Sequence, residues 1–272
     1  MQNNPFPKFA LGWAGAILVG ASAQAQVNFA YNPADLLLGF RNGAGSDFVV
    51  DLGTVTSWYA YSSLQPNTTY NITAYNGSQL TSVFGSLDNI SFSAFADVRT
   101  PSNPIFPFNT IWTTAPRLDI STQSDPLSRR SQFTQGSTGS KIDGIAAGAV
   151  AYSGTLDNTG VSTATALQMP SSWSAVGASS YTGGVGPNGN FNGTFQANVE
   201  NTTPTGFASS GTPIVSDLYE LQPGSGPGTY LGYFTLGTDG NMTFTTVPEP
   251  GTLTLIGVGF GLGLAAFFRR QS

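Results

Sequence analysis

Along this chain short apolar segments alternate with clusters of Gly, Pro, Asn and Ser, and two longer apolar runs lie near its ends. Asp35 to Phe40 and Asp47 to Leu52 have strand length, and the Gly-rich Arg41 to Ser46 between them predicts a hairpin. Val27 to Tyr31 reads as a strand ahead of it, joined through Asn32-Pro33. In Ile90 to Val98, residues Ile90, Phe92, Ala94, Ala96 and Val98 fall on one side and Phe95 on the other, the period of two of a strand. Further strands are predicted around Trp112 (Thr110 to Thr113), at Leu218 to Leu221, and at Tyr230 to Leu236 and Asn241 to Val247, the last two joined by an Asp239-Gly240 turn. Helical signals are fewer: Gln79 to Phe84 opened by Ser78, Ser128 to Thr134, and Lys141 to Tyr152, which Gly144 and Gly148 weaken. Pro170 to Pro213 reads as long loops with some strand at Asn190 to Val199. The pattern predicts an all-β or β-rich fold, a single β-sandwich-like domain with a few short helices.

Composition narrows the surface and the chemistry. Charged residues are 8% of the chain, against about 25% in an ordinary soluble domain, so Ser, Thr, Asn, Gln and Gly must supply the exterior. The formal charge is −5, and no basic patch of the kind nucleic acid needs is present, so nucleic acid is not an expected partner. His and Cys are absent, which removes thiolate nucleophiles, thiolate–zinc sites and imidazole acid–base chemistry. The expectation is a protein that is not an enzyme, with no cofactor and no metal.

Both ends read as addresses. Met1 to Ala25 has the parts of a secretory signal: Lys8, the apolar Phe9 to Gly20, and small residues that predict cleavage after Ala23 or Ala25. At the other end Val247, Pro248, Glu249 and Pro250 precede the uncharged Gly251 to Phe268 and then Arg269 and Arg270. At about 1.5 Å per residue that run spans roughly 27 Å, near the thickness of a bilayer core. The Arg pair is a basic stop that stays cytoplasmic, leaving the body of the chain outside the inner membrane.

These three parts, in this order, resemble the PEP-CTERM sorting signal of Gram-negative and related bacteria. The resemblance implies recognition by an exosortase-type processing enzyme and transient anchoring in the inner membrane by the C-terminal helix. It implies delivery to the cell surface or extracellular matrix, with extracellular polysaccharide and biofilm as the setting. Asp35 to Arg41 (Asp-Leu-Leu-Leu-Gly-Phe-Arg) and the closing strand pair Tyr230 to Phe244 are similar to a type of PEP-CTERM protein found in Verrucomicrobia-like bacteria. That type brings no activity with it. The expected organisation is a signal peptide at 1–25, a β-rich exported domain at 26–246, and a sorting signal at 247–272 with a transmembrane helix at 251–268.

Within the exported domain, carboxylate pairs are the remaining catalytic option. Asp47 and Asp51 lie four apart and should face the same side of one strand. Such a pair could act in glycoside hydrolysis or bind Ca²⁺, though strand-end turn positions explain it more simply. Arg129, Arg130 and Lys141 form one basic locality that could meet acidic polysaccharide or simply be a solvated face. Trp58, Tyr59, Tyr61, Tyr70 and Tyr75 could stack on sugar rings, although aromatics in a β-rich chain more often fill the core. The leading expectation is a non-enzymatic surface or matrix protein. A carbohydrate-binding adhesion module is the alternative, and an acidic-pair hydrolase comes third.

Overall fold

The computed structural model describes residues 28–55, 67–99, 105–155 and 160–247. Ala23, Ala25, Trp58, Tyr59, Tyr61, Pro248, Glu249, Pro250, the run 251–268, Arg269 and Arg270 lie outside the described residues. The strands are β1 (Asp35–Arg41), β2 (Ser46–Thr54), β3 (Thr69–Asn71), β4 (Ser91–Val98), β5 (Thr110–Pro116), β6 (Ala166–Pro170), β7 (Ser174–Ala175), β8 (Ala178–Ser179), β9 (Asn201–Thr202), β10 (Ile214–Leu221), β11 (Thr229–Leu236) and β12 (Met242–Thr246). The helices are α1 (Gly77–Phe84), α2 (Gln132–Ser153), α3 (Tyr181–Val185) and α4 (Phe207–Ser210). A β-rich fold is thus present. Ten strands join one antiparallel sheet in the order β3-β12-β11-β10-β5-β4-β1-β2-β6, with β9 beside β4, while β7 and β8 pair separately.

Alternation gives this sheet two buried faces. In β1, Leu36, Leu38 and Phe40 enter one core and Leu37 the other; in β4, Phe92, Ala94, Ala96 and Val98 oppose Phe95. Strands buried on both sides read as continuous apolar runs, which is the look of Asp35 to Arg41. β12 instead alternates buried Met242, Phe244 and Thr246 with half-exposed Thr243 and Thr245, so one of its faces meets solvent.

The first face curls around its core. Phe40, Phe92, Trp112, Leu218, Phe234 and Phe244 come from six strands and share one apolar cluster. The segment after β3 closes the open side. Ile72 N–H donates to the Met242 carbonyl at 2.9 Å, and the Tyr75 hydroxyl donates to the Gly240 carbonyl at 3.2 Å. The Tyr75 ring meets Phe40 and Phe48 edge-on, with centroids 5.3 and 5.9 Å away, so it ties β12 to the β1–β2 hairpin. α1 follows. Its cap is Asn76, not Ser78: the Asn76 side chain accepts from Gln79 N–H and the Gln79 side chain accepts from Asn76 N–H, both at 3.0 Å.

α2 covers the second face, setting Ile142, Ile145 and Ala149 on Leu37, Val49 and Phe95. The two segments expected as separate helices form one, starting at Gln132. Its glycines allow contact that a side chain would block. A Cβ on Gly148 would lie 1.9 Å from the Ser179 carbonyl oxygen, so close docking outweighs the poor helix propensity of glycine. Two expected strands are absent. Residues 28–32 make no ladder, although Ala30 N–H reaches the Ala164 carbonyl at 3.0 Å. Residues 190–199 bond locally instead, with Phe195 N–H on the Asn190 carbonyl at 3.0 Å, and form turns that pack Phe191 and Phe195 under α2.

Candidate functional site

The sheet face beneath α2 is apolar in the middle and polar at both ends. Leu37, Val49 and Phe95 hold the middle. At one end the register sets Asp47 opposite Arg41. At the other, Leu37 pairs with Asp51 on one side and with Phe95 on the other, and Asp35 and Asp97 lie two residues further along β1 and β4.

The Asp47 end is satisfied. Arg41 pairs with Glu200, and the Tyr181 hydroxyl donates to Glu200 Oε1 at 2.7 Å while sharing a 2.7 Å hydrogen bond with Ser93. Asp47 accepts from the Thr182 N–H and hydroxyl, each at 2.6 Å. Burial pushes the Asp47 carboxyl up to about 6, against the downward pull of Thr182 and Arg41. These bonds fasten α3 and the segment leading to Glu200 onto the sheet. They read as architecture.

The Asp51 end is different. Asp35, Asp51 and Asp97 are 2%, 8% and 2% exposed. A bulge aims Asp51: Gly53, at φ +83°, turns its N–H back onto Asp51 Oδ1 at 2.7 Å. Asp35 Oδ2 accepts from the Asn32 N–H at 2.6 Å and from its side-chain amide at 3.2 Å. Burial raises the Asp51 carboxyl to about 7, and the hydrogen-bonded Asp35 beside it adds to the rise. Asp97 has no hydrogen-bond partner at either oxygen, and neither does the Tyr31 hydroxyl. Burial lifts Asp97 well above the usual carboxylate range, and Asp143 on α2 lifts it further, against Arg99. Tyr31 is raised by burial and then, in falling order, by Asp97, Asp143, Asp35 and Asp51. Arg99 serves Asp143 at 3.5 Å and the Gly136 carbonyl at 3.1 Å, leaving both Asp97 oxygens unmet.

Asp47 and Asp51 do share a face, as their spacing predicts, but about 13 Å of strand separates them and each has its own partners. They do not act as a pair. The carboxyl beside Asp51 is Asp35, which sequence reading missed because only the strand register joins them. Arg129 is held by the carbonyls of Gln222 (2.8 Å) and Pro223 (3.2 Å), and Lys141 lies on α2. Tyr75 is core, and Tyr70 is half-buried on β3. Val247, the last described residue, sets its N–H 3.5 Å from the Leu231 carbonyl.

A groove of about 580 Å³ runs beside β6, lined in part by Ser46, Ser82, Tyr152, Val161 and Gln168, with no charged side chain among its described lining residues. Tyr152 meets Trp173 edge-on at 6.0 Å. Among the described residues no three carboxylate, imidazole or thiol groups converge to hold a metal by themselves, and no helix is long and apolar enough to cross a membrane. Comparison with protein-family models, with curated proteins and with solved structures finds no match to this chain.

Proposed function

We propose that this chain is a non-enzymatic, exported cell-surface or extracellular-matrix protein, sorted through the PEP-CTERM signal at its C-terminal end. One observation carries the reading: β12 ends at Thr246, and the Pro-Glu-Pro motif begins one residue after Val247. The sorting signal therefore starts where the last strand stops, in a position a processing enzyme can use without unfolding the sheet. The charge-poor composition and the placement of the buried acids fit the same reading, since Asp47 and Glu200 serve α3 and its neighbouring loop rather than a cleft. The finer architecture belongs with it: one curled sheet working as a β-sandwich-like body, preceded by a signal helix and followed by a membrane helix.

A second reading, a carbohydrate-binding adhesion module, is favoured by the groove whose described lining, with Ser46, Ser82 and Gln168 beside Tyr152, carries no charge and suits a neutral glycan. Mass-spectrometric mapping of both termini on protein from the native surface and medium tests the first. Ends near Gln24 or Gln26 and near Pro248 are expected, whereas an intact end at Ser272 in surface protein sinks the sorting claim. The same material on a neutral-glycan array separates the readings: saturable binding without turnover moves the function to the second.

A further inference from the structure

The β1–β2 hairpin turns through an Asn-Gly dipeptide, one of four in the chain: Asn42-Gly43, Asn76-Gly77, Asn188-Gly189 and Asn192-Gly193. Each is a latent reaction site. The backbone nitrogen that follows an asparagine can attack its side-chain carbonyl carbon, and glycine, with no Cβ, leaves that path unhindered. By sequence the four rank alike. In the folded protein they do not, because the attack needs a glycine N–H that is free and a backbone with room to move.

Three of the four are held. Gly77 N–H donates to Asn241 Oδ1 at 2.9 Å, and a Cβ on Gly77 would lie 1.9 Å from the Asp239 carbonyl oxygen, so that backbone is packed. Gly189 N–H donates to the Gly186 carbonyl at 3.2 Å, and Gly189 is buried against Asn198 and Glu200. Gly193 N–H donates to Asn190 Oδ1 at 2.9 Å, while Asn192 Nδ2 donates to the Gly183 carbonyl at 2.8 Å. Asn42-Gly43 is free where these are tied. Gly43 is exposed, its N–H has no acceptor among the described residues, and a Cβ there would meet nothing within 4 Å. The Ala44 N–H already donates to Asn42 Oδ1 at 2.9 Å. That oxygen takes up negative charge once Cγ is attacked, so a donor aimed at it favours the reaction.

We propose that Asn42 is a site of spontaneous deamidation, the one Asn-Gly of this chain that reacts while the protein stays folded. Solvent base takes the Gly43 N–H proton and the nitrogen bonds to Asn42 Cγ. The Cγ–Nδ2 bond then breaks, and the amide nitrogen leaves, protonated, as ammonia. Water opens the resulting five-membered imide at either carbonyl. Opening at Cγ gives aspartate in the ordinary linkage; opening at the main-chain carbonyl gives isoaspartate, in which the chain runs through Cβ and Cγ. One water is consumed and one ammonia released, with no oxidation or reduction. Either product places a carboxylate one residue after Arg41, the partner of Glu200. The isoaspartyl product also adds a methylene to the backbone where β1 turns into β2. The inference uses only the hairpin turn and stands apart from the sorting signal and the groove.

The test is site-resolved mass spectrometry of the full-length chain held in mildly alkaline buffer, folded or in guanidinium chloride. Brief digestion at aromatic residues suits a chain so poor in Lys and Arg. In denaturant all four Asn-Gly sites should convert from amide to acid at rates within a few-fold of one another. In the folded chain Asn42 should keep its denatured rate to within a few-fold, and its peptide should separate into aspartyl and isoaspartyl isomers. The other three react only through local opening and should be at least about tenfold slower than in denaturant. Another Asn-Gly that converts as fast as Asn42 in the folded chain overturns the proposal, because the hydrogen bonds then select nothing. An Asn42 that stays an amide when folded, while converting in denaturant, overturns it too, since the turn is then as protected as the rest.

Discussion

Asp47 faces Arg41 across the hairpin and receives two hydrogen bonds from Thr182, yet burial wins and its carboxyl rises from 3.8 to about 6. Between those values the folded state keeps a proton that the unfolded chain has released. Linkage then makes this group's contribution greatest below the unfolded pKa, and it declines as pH rises to about 6. A shift of about two units corresponds to roughly 3 kcal/mol. Stability measured by denaturant unfolding should therefore fall from about pH 4 to about pH 6, and Asp47→Asn should flatten that slope by about one proton. An unchanged slope in the variant would show that another group carries it. The spacing of Asp47 and Asp51 made their shared face legible in the sequence. What each one meets was not legible, because Thr182 and Asp35 reach them only through the folded register.

α2 shows the same division among elements. Lys141 to Tyr152 announces a helix by composition, but its glycines argue against one as long as Gln132 to Ser153. They are tolerated because some of them lie where backbone meets backbone. Gly148→Ala would force a methyl to within 1.9 Å of the Ser179 carbonyl oxygen, and a loss of about 1–3 kcal/mol is expected despite alanine's better propensity. Gly144→Ala meets nothing closer than 3.5 Å and should be neutral or gain up to about 1 kcal/mol. Urea unfolding of the two variants checks both, and equal effects would mean that the helix is not docked through Gly148. The hairpins were readable because apolar alternation and turn residues are local signals. Residues 190–199 misled because Phe191 and Phe195, four apart, have the spacing of one strand face, whereas the backbone there closes local turns and both rings pack in the core that α2 covers.

For the whole molecule, closure of the curled sheet rests on a segment with little secondary structure of its own. Tyr75 is 4% exposed and touches both the hairpin β1–β2 and the turn before β12. Removing its ring in Tyr75→Ala should cost about 3–5 kcal/mol, and amide exchange should quicken in β2 and β12 together, because one core joins them. Faster exchange in β12 alone would mean that the two ends of the sheet are not coupled. The sequence by itself determined the strand-rich class, most strand positions, the charge-poor exterior and the want of His and Cys chemistry, since each depends on residue type or on periodicity over a few positions. Only the tertiary structure decided that ten strands form one sheet, which faces carry the acids, and which of those acids lack partners. Those outcomes depend on contacts between residues far apart in the chain, such as Asp47 with Thr182 or Tyr75 with Gly240, and no local pattern encodes them.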